Sequence, residues 1–382
     1  MTWRSWSDQA GNGLEWIQLI QQNLSGSILA SCVVLAIVDS QDHSDPALQR
    51  SFFFNSIWIL MSSDVNPAIE GSRCLVTGGA GFIGSHLVEG ILAAGGKVRV
   101  LDNFSTGFRH NLDQFEDGQV ELLEGDASDF AVVQQAVVDV DLVFHAAAMA
   151  SVPRSMREPD LCHAWCTTST VNLLQASAAA GVRRLVLSST SAAYGDSTFV
   201  SKRETDPSAP LSPYAAAKLA AESYCHAFQR SFEIETVVLR YFNVFGPRQD
   251  PKSEYSAVIP KFVSMILSGE RPVIFGDGNQ SRDFVFVKDV VQANLLAATA
   301  VDAPGGTFNI ARGERTTLLE LLTTLRKILD QHIEPIHEPP RVGDVRDSLA
   351  DISEARRRLN FEPATTIAEG LQRSVEYYRS LI

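Results

Sequence analysis

Two residues, Tyr214 and Lys218, stand one helical turn apart and could together move a proton. Side chains four residues apart leave the same face of a helix. A free phenol, with a pKa of about 10, is a poor base at neutral pH. A nearby ammonium stabilises the phenolate and draws that value toward the working range. Such a pair is common by chance, so its weight depends on what surrounds it. The second chemistry-bearing feature is the run Thr77-Gly78-Gly79-Ala80-Gly81-Phe82-Ile83-Gly84. Glycines at this spacing permit a tight turn and let backbone N–H groups approach a pyrophosphate at the positive end of a helix. Asp102 follows eighteen residues after Gly84, with Asn103 and no arginine behind it. A carboxylate there accepts bonds from adenosine ribose hydroxyls and repels a 2′-phosphate. These residues imply bound NAD rather than NADP, and a positive nicotinamide would add to the pull of Lys218 on the phenol.

The elements that must position these groups follow from hydrophobic period and turn residues. Strands are expected at Arg73–Thr77, Lys97–Leu101, Val120–Leu123, Leu142–His145, Arg184–Ser188 and Glu235–Arg240. Helices are expected at Phe82–Ala94, near Phe130–Val137, as one Ala-rich segment from Asp160 to Ala180, and from Pro213 to Phe228. Strands alternating with helices mean βαβ units, hence an α/β fold of Rossmann type with a doubly wound parallel sheet. Beyond Arg240 prolines and glycines become frequent and two further helices are expected, Ile259–Ser268 and Thr317–Asp330. The division expected is a dinucleotide-binding domain over 71–240 with returning segments at about 281–310. A smaller C-terminal substrate-binding lobe takes 241–280 and 311–382, after an N-terminal extension over 1–70.

Of the 382 residues, 45% are hydrophobic and 20% charged, as in an ordinary folded chain. A net charge of −13 argues against nucleic acid as a partner. Five irregularly spaced cysteines do not form a disulfide framework, so a cytoplasmic setting is expected. Cys162, His163 and Cys166 lack a second ligand pair, and no metal is expected. In the extension, Ile28–Val38 is too short to span a bilayer and carries no signal-peptide pattern. No membrane span is expected, and Met61 is the expected start of translation.

The glycine spacing with Phe82-Ile83 and Ser85-His86 resembles the extended short-chain dehydrogenase/reductase family, and the likeness runs from about residue 72 to the C-terminus. Gly125-Asp126 resembles that family's adenine-contacting pair, and His145-Ala146-Ala147 the segment along the cofactor's inner edge. The residues alone leave every hydroxyl from Ser188 to Ser191 open as a catalytic partner; the family register points to Thr190, with Ser189 and Ser191 behind it. Tyr241-Phe242-Asn243-Val244-Phe245-Gly246-Pro247 looks like a nucleotide-sugar 4-epimerase segment. That likeness implies cofactor contact from Tyr241 and substrate contact from Asn243. It extends to Ser256–Phe262 with Val258 over the nucleotide, Phe275 near the uracil, Arg282 and Arg341 on the diphosphate, and Asp344 on the uridine ribose.

The resemblance implies an NAD-dependent UDP-sugar 4-epimerase that works through a transient 4-keto intermediate, and a homodimer packed through helices. Ser348 stands where enzymes restricted to plain hexoses carry a bulky aromatic. UDP-N-acetylglucosamine and UDP-N-acetylgalactosamine are therefore the expected substrates, alongside UDP-glucose and UDP-galactose. Ser191-Ala192 replace the acid and base of a dehydratase. UDP-glucuronate epimerisation or decarboxylation stays open, because Ser151-Val152-Pro153-Arg154-Ser155 offers a substrate-facing Ser151 and an arginine for a carboxylate. A catalytically silent NAD-binding sensor is the other class kept. Cys166 and Ser169 stand where relatives usually have Asn and Gly, which is expected to weaken the hydrogen-bond network beside the cofactor or leave it to water.

Overall fold

The structure, a computed structural model, describes residues 69–197, 199–251, 258–340 and 346–381. Met61, the apolar runs before it, Ser256, Arg341 and Asp344 lie outside the described residues. From Ile69 the chain alternates strand and helix: β1 (Arg73–Thr77), α1 (Phe82–Ala93), β2 (Lys97–Asp102), β3 (Val120–Glu124), α2 (Phe130–Ala136) and β4 (Leu142–His145). Then come α3 (Val152–Arg157), α4 (Pro159–His163), a π-turn at Ala164–Thr168, α5 (Ser169–Ala180), β5 (Arg184–Thr190), α6 (Pro213–Ser231) and β6 (Glu235–Tyr241). The third part holds β7 (Asn243–Phe245), α7 (Val258–Leu267), β8 (Val273–Phe275), β9 (Ser281–Arg282), β10 (Phe284–Phe286), α8 (Val287–Thr299) and β11 (Thr307–Ile310). It closes with β12 (Thr316–Thr317), α9 (Leu318–Leu329), β13 (Ile336–Glu338), α10 (Ser353–Leu359) and α11 (Ile367–Arg379).

The main sheet has seven strands in the order β11-β6-β5-β4-β1-β2-β3, all parallel. Strand order reverses between β1 and β4, and a crevice opens there beyond the carboxyl ends of the strands. Every residue of β4 is buried, as expected for a central strand covered on both faces. One face carries a core of Val76, Leu87, Ile91, Phe144, Val290 and Phe308, contributed by the sheet, α1 and α8. The opposite core joins Leu75, Val143, Leu174, Leu187 and Ala221 from the sheet, α5 and α6. A third cluster, with Phe262, Ile274, Phe284, Leu321 and Leu371, builds the smaller lobe. Its helices α9 and α11 each start with a capping box, Thr317/Glu320 and Thr366/Glu369, which satisfies N-terminal donors that would otherwise be orphaned.

The strands begin where the sequence places them, but the segment from Asp160 to Ala180 is not one helix. It is α4, the π-turn and α5 in succession. The cause lies in its hydroxyls. Ser169 Oγ donates to the Trp165 carbonyl at 2.7 Å and Thr170 Oγ1 to the Cys166 carbonyl at 2.7 Å. Such bonds to a carbonyl four residues back compete with the helical ladder and bend it. Strand β5 runs to Thr190, two residues beyond the expected end. Among the described residues no helix is long and apolar enough to cross a membrane.

Candidate active site

Beyond β1 the chain turns at Gly78, whose φ of +71° favours glycine, and enters α1. The turn is packed backbone against backbone. A Cβ on Gly84 would lie 1.9 Å from the Gly78 carbonyl oxygen, and one on Gly78 would lie 2.7 Å from the Ala147 nitrogen. Only bare backbone fits there, so the N–H groups of the turn stand open to a pyrophosphate at the start of α1. At the end of β2, Asp102 accepts from the Ala80 N–H at 2.9 Å through Oδ2 and from the Phe104 N–H at 2.8 Å through Oδ1. Each oxygen keeps a further lone pair. Burial pushes the carboxyl up, against those two bonds.

Between the ends of β1 and β4 lies a cleft of ≈ 470 Å³. It is lined by Gly78, Gly81, Phe82, Ile83, Gly84, Asp102, Asn103, Gly125, Asp126, Ala146, Ala147, Ser151, Tyr214, Lys218 and Tyr241. Fifteen of the expected site residues therefore meet at one place. Buried His145 ties the two strands and α5 together beneath it. Its Nδ1 is 2.7 Å from Thr77 Oγ1 and its Nε2 is 3.0 Å from Thr170 Oγ1. Burial, and then the nearby Lys218 charge, keeps this imidazole neutral. The glycine cradle, the Asp102 lone pairs and the open cleft fit a dinucleotide.

The proton-moving group is assembled from β5 and α6. Ser212 caps α6 by accepting from the Ala215 N–H, and Pro213 supplies the first helical residue. This fixes Tyr214 in the first turn, where its hydroxyl hydrogen-bonds Thr190 at the last residue of β5. Thr190 reaches the cleft through that bond rather than by lining it. Lys218 is buried and donates to the Ser188 carbonyl at 2.9 Å. The ammonium is thus bonded to the end of the strand. Burial raises Tyr214 well above the ordinary phenol range and outweighs the Thr190 bond. Desolvation also pulls Lys218 down.

Behind this group Glu222 accepts from Ser189 Oγ at 2.5 Å and pairs with Arg240 at 2.7 Å, locking α6 onto β5 and β6. Ser189 is committed to that link. Tyr241 bonds Ser188 at 3.0 Å and Asn294 at 3.0 Å through its hydroxyl.

Cys166 and Ser169 do not leave a gap. Cys166 accepts from the Met149 backbone and from the Cys162 thiol; the Cys162 bond holds it below the usual thiol range, against burial. Ser169 Oγ sits 3.4 Å from His145 Nε2. Both side chains are thus held by bonds within the protein. Trp165, Gln249 and Asp250 also line the cleft, and sequence reasoning missed them. The π-turn that aims Trp165 has no period to read, although the hydroxyl run Thr167–Thr170 was a usable signal.

Of the remaining expected residues, those that the structure describes lie beyond the residues lining the cleft. Asn243 Nδ2 donates to the Asp283 carbonyl at 3.1 Å, and Val258 opens α7. Phe275 ends β8, where its carbonyl accepts from Gln280 at 2.6 Å. Arg282 and Ser348 are neighbours: the Ser348 N–H donates to Ser281 O at 3.2 Å, and Arg282 Nη1 donates to the Arg346 carbonyl at 3.2 Å. The Asp283 carboxylate gathers this region, accepting from the N–H groups of Arg312 at 2.9 Å, Gly313 at 3.1 Å and Ala350 at 3.1 Å.

Residues 74–311 match the NAD dependent epimerase/dehydratase family, and the chain belongs to it. Its cofactor is NAD. A UDP-glucose 4-epimerase of Mycolicibacterium smegmatis is 38% identical over 315 residues, which cover 81% of this chain and 99% of that protein. The structure of a UDP-N-acetylglucosamine 4-epimerase from Methanobrevibacter ruminantium, in complex with UDP-N-acetylmuramic acid, superposes with a TM-score of 0.79 at 39% identity. It covers 82% of this chain and all of that one, 100%. The UDP-glucose 4-epimerase of Thermotoga maritima with UDP-glucose gives 0.77 at 40% identity, covering 81% and 99%.

Proposed function

We propose that this NAD-dependent UDP-sugar 4-epimerase interconverts UDP-N-acetylglucosamine and UDP-N-acetylgalactosamine, and also takes UDP-glucose and UDP-galactose. The feature that carries the acetamido reading is Ser348: a small, half-buried residue whose N–H donates to Ser281 next to Arg282, at the position where the family resemblance implies a bulky aromatic in enzymes restricted to plain hexoses. The similarity to an N-acetylglucosamine-type epimerase supports the same assignment.

The glycine turn at Gly78–Gly84 and Asp102 would hold NAD in the cleft, where it would supply reversible hydride acceptance at C4 of the sugar. The protein's residues do the rest. Tyr214 takes the proton of the 4-hydroxyl, and Thr190 positions the phenol through their hydrogen bond. Because burial pushes the Tyr214 phenol up, a positive charge must join it before it can act as a base near neutral pH. Lys218, buried and bonded to Ser188, orients the strand end and contributes its charge at longer range. Arg282 is the described residue assigned to the diphosphate, which its guanidinium would hold by charge-assisted bonds while the sugar turns over.

Arg154 lines the cleft but is already engaged. Its Nε and Nη2 donate to the Glu158 carboxylate at 3.1 and 3.0 Å, and its face lies over Trp165. A glucuronate carboxylate would have to compete with Glu158, so a neutral sugar is favoured. The helices α5 and α6 are the surfaces we assign to a homodimer, and the reducing cytoplasm is the compartment that matches the cysteine usage. Incubation of the purified chain with UDP-N-acetylglucosamine and no added NAD tests the reading: formation of the 4-epimer is expected. Ser348→Tyr should abolish acetamido activity and spare UDP-glucose; equal loss on both sugars would refute the role of Ser348.

A further inference from the structure

Asp283 is fully buried and lies beyond the residues lining the cleft, yet its bonds reach three separate stretches of chain. Its Oδ1 accepts from the Arg312 N–H at 2.9 Å. Its Oδ2 accepts from the Gly313 N–H and from the Ala350 N–H, each at 3.1 Å. The carbonyl of the same residue accepts from Asn243 Nδ2 at 3.1 Å. Burial pushes the carboxyl up to about 6, against the bonds from Ala350, Arg312 and Gly313. Above that value the group is a carboxylate, held by backbone donors in place of water.

The stretches joined in this way carry the residues expected to face the substrate. Asn243 opens β7 and Arg282 ends β9. The segment 347–350 is fastened to 281–283 at successive points. Ser281 Oγ donates to Asp347 at 2.5 Å, the Ser348 N–H donates to the Ser281 carbonyl at 3.2 Å, and the Ala350 N–H reaches Asp283. The turn at Arg312–Gly313, by contrast, has no expected contact with substrate and is tied in through Asp283.

We propose that Asp283 is a positioning residue for the nucleotide sugar: its carboxylate fixes the segment bearing Ser348, its carbonyl fixes the Asn243 amide, and both are thereby set beside Arg282. This rests on the reading that Asn243, Arg282 and Ser348 face the UDP-sugar. In Asp283→Asn one oxygen becomes an amide NH2 that confronts N–H donors, so at least one of the three backbone bonds is lost. The substrate face loosens, while the Tyr214–Thr190 bond and the glycine turn keep their own contacts.

The test is calorimetric titration of the NAD-loaded full chain with UDP, beside steady-state kinetics, at a pH above the range in which Asp283 titrates. For Asp283→Asn the UDP dissociation constant and KM should both rise about tenfold or more, with kcat within about threefold and NAD content unchanged. A lower Tm with UDP affinity and KM unchanged overturns the proposal, as do kcat and NAD content that fall as steeply as KM rises. Arg282→Ala separates the proposal from the reading beneath it. If that variant weakens UDP and Asp283→Asn does not, the proposal fails and the substrate reading stands; if neither weakens UDP, both fail. Should Asp283→Asn not fold, hydrogen exchange of the unaltered chain with and without UDP decides. Exchange is expected to slow at 311–315 together with 281–284 and 348–351. Slowing at 281–284 without 311–315 overturns the proposal, and no slowing at any of the three overturns the substrate reading with it.

Discussion

Gly84→Ala is the sharpest single probe of the dinucleotide turn. The added carbon would stand 1.9 Å from the Gly78 carbonyl oxygen, 2.7 Å from its carbon and 2.8 Å from the Gly79 Cα. All three are backbone, so no side chain can swing away. Ordinary contact begins at 3.4 Å, so the turn must open by about 1.5 Å. Overpacking of this kind costs roughly 1–3 kcal/mol of stability, or about 2–10 °C in Tm for a domain of this size. A shift of that size also takes the turn's N–H groups out of hydrogen-bond range of a pyrophosphate. Losing one or two bonds to a charged group, at about 1.5–3 kcal/mol each, weakens NAD by on the order of 100-fold. The assay is NAD content of the purified protein, with calorimetric titration and a melting curve. Gly118→Ala is the control: its φ of +85° makes alanine strained, but nothing lies within 4 Å, so it should lose stability without losing NAD. Full NAD occupancy in Gly84→Ala, with Tm unchanged, would refute the packed-turn argument.

Tyr214→Phe is expected to lower kcat by about 10²–10⁴ while retaining NAD, as measured by steady-state epimerisation and cofactor content. Because burial raises Tyr214 and a base works deprotonated, kcat/KM should rise with pH on the acid side, and that limb should vanish in the variant. Burial lifts Asp289 to about 6, from 3.8 in the unfolded chain, against bonds from Ala364 and Thr365. The resulting stabilisation, about 3 kcal/mol, is complete below pH 3.8 and lost as pH rises through about 6. Asp289→Asn should therefore remove this fall from a Tm series across that window, and an unchanged slope would count against it. Glu222→Gln leaves Arg240 buried without its counter-charge and should cost roughly 3–5 kcal/mol in denaturant unfolding.

The sheet and the dinucleotide turn were legible because they follow local rules. Alternating apolar runs, the glycines at 78, 81 and 84, and the carboxylate at Asp102 all act within a few residues of where they are read. Tyr214 and Lys218 were legible as a pair, since Pro213 and Ser212 fix the start of their helix. The aim of Lys218 at Ser188 was not, because it depends on where β5 ends relative to α6. Trp165 escaped for a similar reason. Its direction comes from the π-turn, and its partner Asp126 lies 39 residues away. In the lobe, α11 forms around Phe284, Phe286 and Leu371, long-range contacts without a local signature.

The seventh strand of the sheet, β11, pairs with β6 yet is separated from it by the whole of β7 to α8. Strand β6 ends at Tyr241 and β11 begins at Thr307, so 66 positions later the ribosome first supplies its neighbour. At about 5–20 residues per second, β6 waits roughly 3–13 s with a bare edge. An unpaired, apolar edge invites pairing with another nascent chain. We expect a chain ended at residue 300 to be aggregation-prone and chaperone-bound, whereas one ended at residue 315 pairs that edge; equal solubility of the two would show that β6 is protected by other means.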